Sequence, residues 1–466
     1  MSSRDWMNKT PTAWRAGVWP ALALIGLLWP WPIPRRAAPA PPPPNILLIT
    51  IDTLRQDHCS AYGYERETTP ALSRFADQGT KFDLAYAPMA TTAPTHATIF
   101  TAHYPISHRV IKNGLMLAPK LDTLAELLRA SGYQTAGIVS SFVLETKSGL
   151  AQGFELYDDQ FTLEGSTSRP RFWVRPGGFD RRADVTTERV IRWLAEERRP
   201  DRPFFLFVHY FDPHEPYVPP QPFAARFAPA GRPSSKLELD LSRYDAEIAF
   251  TDSQIAVLLE SLRISGLEHD TVIAITADHG EGLMQHGHMG HGVHIYEESV
   301  RVPLLMRWPG KIGAGRIISE PVELVDLAPT LLDLARLPYD PGRFQGRSLA
   351  ASLLDGDPLE PTRPIYLHRR PYRGERIAGA WFQGERFAVR LGNWKLLERS
   401  EDSKDELYDL ANDPEEQTNL YAADSTEAQS LATLLGAWKQ ASGADGAALE
   451  LSEEDLARLR ALGYTQ

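Results

Sequence analysis

The chain carries one cysteine, Cys59, in 466 residues, which excludes an internal disulfide. Its setting, Cys59-Ser60-Ala61-Tyr62-Gly63, reads as that of a small buried side chain. Basic excess is missing too: 49 Lys and Arg against 60 Asp and Glu leave a net charge of −11. That balance excludes nucleic acid as an expected partner, because phosphate backbones are held by surplus Lys and Arg. No internal repeat is visible. With 43% hydrophobic and only 23% charged residues the composition excludes disorder, and the length suits one large α/β domain plus a smaller one. A small anionic substrate stays compatible with the acidic surface, since a local metal ion inverts the field of a cleft.

A long unbroken apolar run is also absent. Arg4, Lys9 and Arg15 precede an apolar stretch from Ala16 to about Pro34, which Pro20, Pro30 and Pro32 interrupt. Arg35-Arg36 and a Pro/Ala tract to Pro44 follow. This is the layout of a signal peptide, with Ala38-Pro39-Ala40 as a cleavage site, or of an uncleaved membrane anchor. No cysteine lies near it, which excludes a lipoprotein anchor. The expectation is an exported, periplasmic or extracytoplasmic protein, with membrane association through the amino terminus if the segment is retained. Pro41 to Pro44 form a stiff spacer ending where the fold starts.

Beyond the spacer, Asn45 to Asp52 is a continuous apolar run closed by an acid. Similar runs lie at Thr135 to Val139, Phe204 to His209, Val272 to Thr276 and Val302 to Met306, and stretches of helical spacing such as Thr123 to Leu128 and Ile255 to Leu262 separate them. The pattern predicts a parallel sheet covered by helices on both faces. Near Pro358 it changes to short alternating strands (Ile365 to Leu367, Phe387 to Val389, Trp394 to Leu397) and a helix from about Pro414 to Gln440. The expected organisation is a leader and spacer over 1–44, an α/β catalytic domain over 45–357, and an α+β subdomain over 358–466, an antiparallel sheet with a helix. The Arg- and Gly-rich stretch Arg169 to Arg182 reads as a surface loop.

Polar residues gather where the apolar runs end: Asp52, His209, and Asp278-His279. In open parallel sheets ligands bind beyond the carboxyl ends of the strands, so residues far apart in sequence can share one cleft. Thr92 stands two residues before Pro94 and ahead of a helical Ala97 to Thr101. That puts its hydroxyl at a helix amino terminus, where free N–H groups favour an anion. A threonine hydroxyl is a weak nucleophile unless a metal or base activates it. Asp52, Asp278, His279 and the Thr92 oxygen make a plausible four-ligand site for a divalent ion, although an isolated Asp after a strand also serves as a turn or helix cap. From Gly280 to His294, four histidines fall within nine residues among glycines, the pattern of a functional loop. His288 and His294 read as its solvated members.

The segment Thr92 to Pro105 resembles the signature of the sulfatase family, Cys/Ser-x-Pro-x-Arg followed by Thr-Gly and an aromatic-Pro, with Thr92 at the nucleophile and His96 at the Arg. Asn45 to Asp52, Phe204 to Tyr217, Tyr244 to Asp252, Tyr296 to Pro303, Asp326 to Thr330 and Leu407 to Pro414 are similar to further blocks of that family, so the likeness spans Asn45 to about Leu420. It implies an alkaline-phosphatase-like fold, and one divalent metal ion (calcium, manganese or zinc) held by Asp52, Thr92, Asp278 and His279. It further implies Thr92 as the nucleophile, with His214 and His291 as catalytic and substrate-binding groups. Asn113 and His96 complete the substrate contacts.

This sequence departs from the family pattern at several points. Thr53 replaces the second of two adjacent acids, Ser140-Ser141-Phe142 stands where a Lys-x-His clamp is usual, and Cys59 lacks the Pro-x-Arg that formylglycine formation requires. Without formylglycine, the hydroxyl would form a sulfo- or phospho-enzyme that water then releases. The implied activity is hydrolysis of a sulfate or phosphate ester, on a small anionic ester or a sulfated or phosphorylated glycan or lipid. The alternatives are a phosphoryl-group transferase, a phosphodiesterase or phosphonate monoester hydrolase, and a binding protein that has lost catalysis.

Overall fold

The computed structural model describes residues 42–161, 180–377, 380–442 and 449–450. The leader expected over 1–44 falls outside them up to residue 41, as does the Arg-rich stretch up to residue 179. Among the described residues no helix is long and apolar enough to cross a membrane.

The continuous apolar runs become the middle of a nine-stranded sheet. Its strands are β1 (Asn45–Ile51), β2 (Thr80–Tyr86), β3 (Gln134–Ile138), β4 (Leu156–Asp158), β5 (Phe204–Tyr210), β6 (Thr271–Ala277), β7 (Arg301–Arg307), β8 (Arg316–Ile318) and β9 (Val322–Glu323). The order is β8-β2-β7-β6-β1-β5-β3-β4, with β9 also on β2. β1 lies between β5 and β6, both parallel to it, and Ile46 to Ile49 are wholly buried. A strand buried on both faces has no use for polar alternation, which is why the run reads as unbroken. One expectation needs correcting: β7, expected as another parallel strand, runs antiparallel to both β6 and β2. An apolar run specifies burial but carries no strand direction.

Register fixes the rim of the sheet. Ile51 stands level with Tyr210 on one side and Ala277 on the other, so Asp52 and Asp278 leave the sheet side by side. Two groups of helices cover the strands. In one, α5 (Lys236–Ile264) packs with α1 (Pro70–Asp77) and α4 (Ala183–Arg192); in the other, α2 (Thr92–Thr101) packs with α3 (Leu124–Ala130) and α6 (Leu327–Leu334). Every residue of α2 is buried, so its first turn is delivered to the rim as a rigid body.

A second sheet, β10 (Ile365–Ile377), β11 (Ala380–Leu391), β12 (Trp394–Leu397) and β13 (Glu406–Asp409), is antiparallel throughout. Helix α7 (Thr426–Ala441) packs Leu431, Leu435 and Trp438 onto Phe387, Val389 and Leu396. This helix starts twelve residues later than the sequence pattern suggested. Asp413 accepts hydrogen bonds from the backbone N–H groups of Gln417 and Thr418, and these local turns displace the helix until Ser425 caps it at Ala428.

Candidate active site

Three chain segments converge at the rim. Asp52 follows β1, Thr92 opens α2, and Asp278-His279 follow β6; all four side chains are fully buried. The Asp278 Oδ1 accepts the backbone N–H groups of His279 (2.8 Å) and Thr53 (3.3 Å), which aims Oδ2 inward. Thr53, at the position of the missing second acid, thus contributes its backbone instead. Its φ of +56° is unusual for a β-branched residue, a local strain located at the site. Tyr244 from α5 holds this turn, donating to the Thr53 carbonyl at 2.7 Å and accepting the Arg55 N–H at 2.9 Å.

His279 donates Nδ1–H to the Gly280 carbonyl (2.8 Å), which leaves Nε2 with its lone pair facing inward. Nε2 lies 3.3 Å from the Thr92 Oγ1, 3.6 Å from the Asp278 Oδ2 and 3.7 Å from the Asp52 Oδ1. Donors about 2.0–2.2 Å from a tetrahedral ion sit about 3.3–3.6 Å from one another, so the spacing fits a shared cation. Among the described residues both Asp52 oxygens and the Asp278 Oδ2 have no hydrogen-bond donor, although buried carboxylates ordinarily find partners. Burial, then the mutual repulsion of Asp52, Asp278 and Glu281, pushes the Asp52 carboxyl well up; burial likewise raises Asp278 and lowers His279 to about 3. A divalent ion is the group these orphaned atoms fit, and it would favour the ionised acids and bare imidazole.

The other expected residues fall into two places. His291 lies against His279 (ring centroids 4.6 Å apart) and His214 against His291 (5.0 Å). His291 donates Nδ1–H to Glu281, fully buried, at 3.2 Å. Burial, the largest single influence, lowers the His291 pKa, but the charge and hydrogen bond of Glu281 together with the charges of Asp278 and Glu215 hold the imidazole above its usual value. Asn113 accepts the Ala93 N–H through Oδ1 at 2.9 Å, which leaves its amide N–H groups as the donors beside Thr92. His96, expected among the substrate contacts, is turned inward instead. It donates Nδ1–H to the Thr92 carbonyl (2.8 Å) and accepts from the Thr50 hydroxyl (2.9 Å), so here it braces Thr92 from below.

His288 and His294, expected as solvated members of the loop, are packed: both rings stand against Phe382 of β11, at 5.7 and 5.5 Å. His286 stacks on Tyr296 and pairs with Glu298 at 2.7 Å. Sequence reasoning missed Glu281 as the partner of His291; its place in Gly280-Glu281-Gly282, inside the histidine loop, was the available signal. It also missed Lys395, wholly buried between Glu297 (3.0 Å) and Glu416 (2.9 Å), which ties the second sheet to the segment behind the loop.

Comparison with known proteins supplies the lineage. The family model described as Sulfatase matches residues 44–337, and one described as N-sulphoglucosamine sulphohydrolase, C-terminal, matches 285–438. Human arylsulfatase A is 28% identical over 81% of this chain and 83% of its own, and the ulvan-active sulfatase of Formosa agariphila is 25% identical over 81% and 76%. In fold, the chain is similar to a protein solved with its substrate D-glucosamine-2-N,6-O-disulfate (TM-score 0.74, 22% identity, 86% of this chain and 98% of that one). It is likewise similar to the phosphonate monoester hydrolase of Agrobacterium radiobacter (TM-score 0.68, 24% identity, 85% and 94%). With that family model covering well over half of its length, the chain belongs to the sulfatase family of ester hydrolases.

Proposed function

We propose that the protein is a metal-dependent hydrolase that cleaves a sulfate or phosphate ester through the Thr92 hydroxyl. The observation that carries this reading is the Thr92 Oγ1 at the amino terminus of α2, 3.3 Å from the His279 Nε2, with both Asp52 oxygens and the Asp278 Oδ2 left without donors among the described residues. Asp52, Asp278, His279 and Thr92 would hold the divalent ion. When bound, the ion lowers the pKa of an oxygen ligand and offsets negative charge on the transferring group. The Thr92 hydroxyl gives up its proton to solvent, its oxygen attacks sulfur or phosphorus, and the bond to the ester oxygen breaks with its electron pair. His291, kept protonated by Glu281, supplies the proton that oxygen takes, with His214 beside it. The amide of Asn113 and the first turn of α2 donate to the oxygens of the transferring group. Water then attacks the sulfur or phosphorus of the sulfo- or phospho-threonine, the bond to Oγ breaks, sulfate or phosphate leaves, and a proton from the water restores the hydroxyl.

Relatives of the chain act on sulfated sugars, which supports a sulfated glycan as the substrate body. The threonine favours a second reading, phosphoryl chemistry, because no formylglycine can form at position 92; transfer to an acceptor alcohol instead of water belongs to that reading. The amino-terminal pattern supports action outside the cytoplasm. A screen of aryl sulfate, phosphate monoester, diester and phosphonate substrates on metal-loaded protein, with product analysis in added alcohol, tests the sulfate, phosphoryl and transfer readings. Turnover of none of them, in a protein that has taken up metal, would refute the enzymatic reading.

A further inference from the structure

His291 stands on backbone that gives it little restraint of its own. Glycines at positive φ flank it, Gly290 at +94° and Gly292 at +85°, and such residues move between conformations at little cost. A proton donor on this backbone keeps its aim only where other elements fix the loop. Ahead of His291, Gly282–Leu283 pairs with Met289–Gly290 as a short antiparallel ladder. Behind it, the restraint comes from the second sheet. Tyr372 of β10 donates its hydroxyl to the Gly292 carbonyl at 2.9 Å. Its ring is buried and packs with Phe382 of β11 against Val293. Phe382 also stands against His288 and His294, so the β10–β11 hairpin grips the loop on both sides of His291.

Two features of β10 aim the tyrosine. Between Arg369 and Tyr372 the strand carries one residue more than the facing Gly384 to Arg386 of β11, and such bulges re-aim the side chains beside them. The Arg370 guanidinium lies 3.7 Å over the Tyr372 ring and pairs with Glu375 at 3.2 Å, which holds the ring in its plane. Burial raises the pKa of the phenol, so it stays a donor. Gly292 is also where the loop meets the segment of the nucleophile. A Cβ there would lie 3.6 Å from the Thr91 Oγ1, and 3.8 Å from both the Ala90 carbonyl oxygen and the Tyr372 hydroxyl. The tyrosine therefore bonds the loop at the point where it lies against the residue before Thr92.

We propose that Tyr372 is a positioning residue for the proton donor: through the Gly292 carbonyl it holds His291 in a fixed place relative to Thr92. The proposal rests on the role given to His291 above and extends it, because it assigns the second sheet a part in the chemistry. Tyr372 itself touches neither the nucleophile nor the leaving oxygen in this role; it acts through the loop. Its loss should therefore be felt most by substrates that depend on the proton His291 supplies.

Tyr372→Phe removes the donor and keeps the packed ring, so the fold is retained, as thermal unfolding and metal content verify. The assay is kcat/KM on a nitrophenyl ester and on an alkyl ester of the same acid, in the wild-type and His291→Gln backgrounds. In the wild-type background the alkyl ester is expected to lose roughly two- to tenfold, the worth of one neutral hydrogen bond. The nitrophenyl ester should lose less, since its leaving oxygen needs the proton less. In the His291→Gln background Tyr372→Phe should leave the ratio of the two rates where it was, because residues that act through one another are not additive. An unaltered ratio in the wild-type background, or the same change of ratio in both backgrounds, would overturn the proposal. If His291→Gln alone leaves the ratio at the wild-type value, the proton-donor role of His291 is refuted and the proposal falls with it.

Discussion

Replacing Glu281 by Gln isolates the proton-donor half of the proposed mechanism, because the change removes a charge and keeps the shape. Glu281 is fully buried, accepts His291 Nδ1–H at 3.2 Å, and lies 3.5 Å from the Tyr217 hydroxyl. A hydrogen bond to a charged partner contributes about 1.5–3 kcal/mol. At about 1.36 kcal/mol per tenfold, that corresponds to a loss of roughly 10- to 150-fold in kcat/KM. The sign of the pH effect follows from the forces on His291. Burial lowers its pKa most, and the charge and hydrogen bond of Glu281, with smaller help from Asp278 and Glu215, together raise it further than burial lowers it. Without the charge, burial wins, the imidazolium is lost at lower pH, and the alkaline limb of the kcat/KM profile moves toward acid. The assay is the pH profile on a nitrophenyl ester and on an alkyl ester of the same acid, with metal content and thermal unfolding measured alongside. The alkyl ester should lose more, since its leaving oxygen needs the proton more. An unchanged limb and an unchanged rate on both esters would remove His291 from the role of acid.

Further expectations concern the nucleophile, the fold and its acid stability. Thr92→Ala should abolish turnover while metal uptake falls and the unfolding temperature in the ion-free state stays near that of the wild type; Thr92→Ser should retain activity. Lys395→Met leaves Glu297 and Glu416 buried without their cation, and a loss of about 3–5 kcal/mol in denaturant unfolding is expected. Phe207→Ala opens a cavity beneath His96 and Phe100, whose rings stand 5.7 and 4.9 Å from it, and should cost about 3–5 kcal/mol. His108 is buried, accepts the Val110 N–H at Nδ1, and has its pKa lowered to about 3 by burial and then by His103 and His368. The unfolded chain takes up that proton near pH 6.5 and the folded one does not, so stability should fall as pH drops from about 6.5 toward about 3. His108→Asn should flatten that slope in thermal scans, and an unchanged slope would contradict the assignment.

The strand ends were legible because burial on both faces erases alternation and leaves a polar residue conspicuous at the end of each run, as at Asp52 and Asp278. The direction of β7 was not legible, since Val302 to Met306 carries the same apolar signal either way. The late start of α7 escaped because the Asp413 turns compete with a helix through hydrogen bonds that composition does not display. The inward turn of His96 and the pairing of Glu281 with His291 were hidden for another reason. Each depends on contacts fixed by tertiary register, such as Thr50 standing next to His209 across β1 and β5. Residue type named the chemistry at the rim; only the register of β1, β5 and β6 shows which atoms face one another.

Catalysis by this chain requires an oxygen at position 92 that forms a covalent bond during turnover. Acid quench of the metal-loaded enzyme mixed with a fast aryl ester, followed by mass mapping of the peptide that carries Thr92, measures this directly. A sulfuryl or phosphoryl group on Thr92 that appears within the first turnover and decays at the rate of product release is the expected result. A group found on another residue, or full turnover by Thr92→Ala, would contradict it.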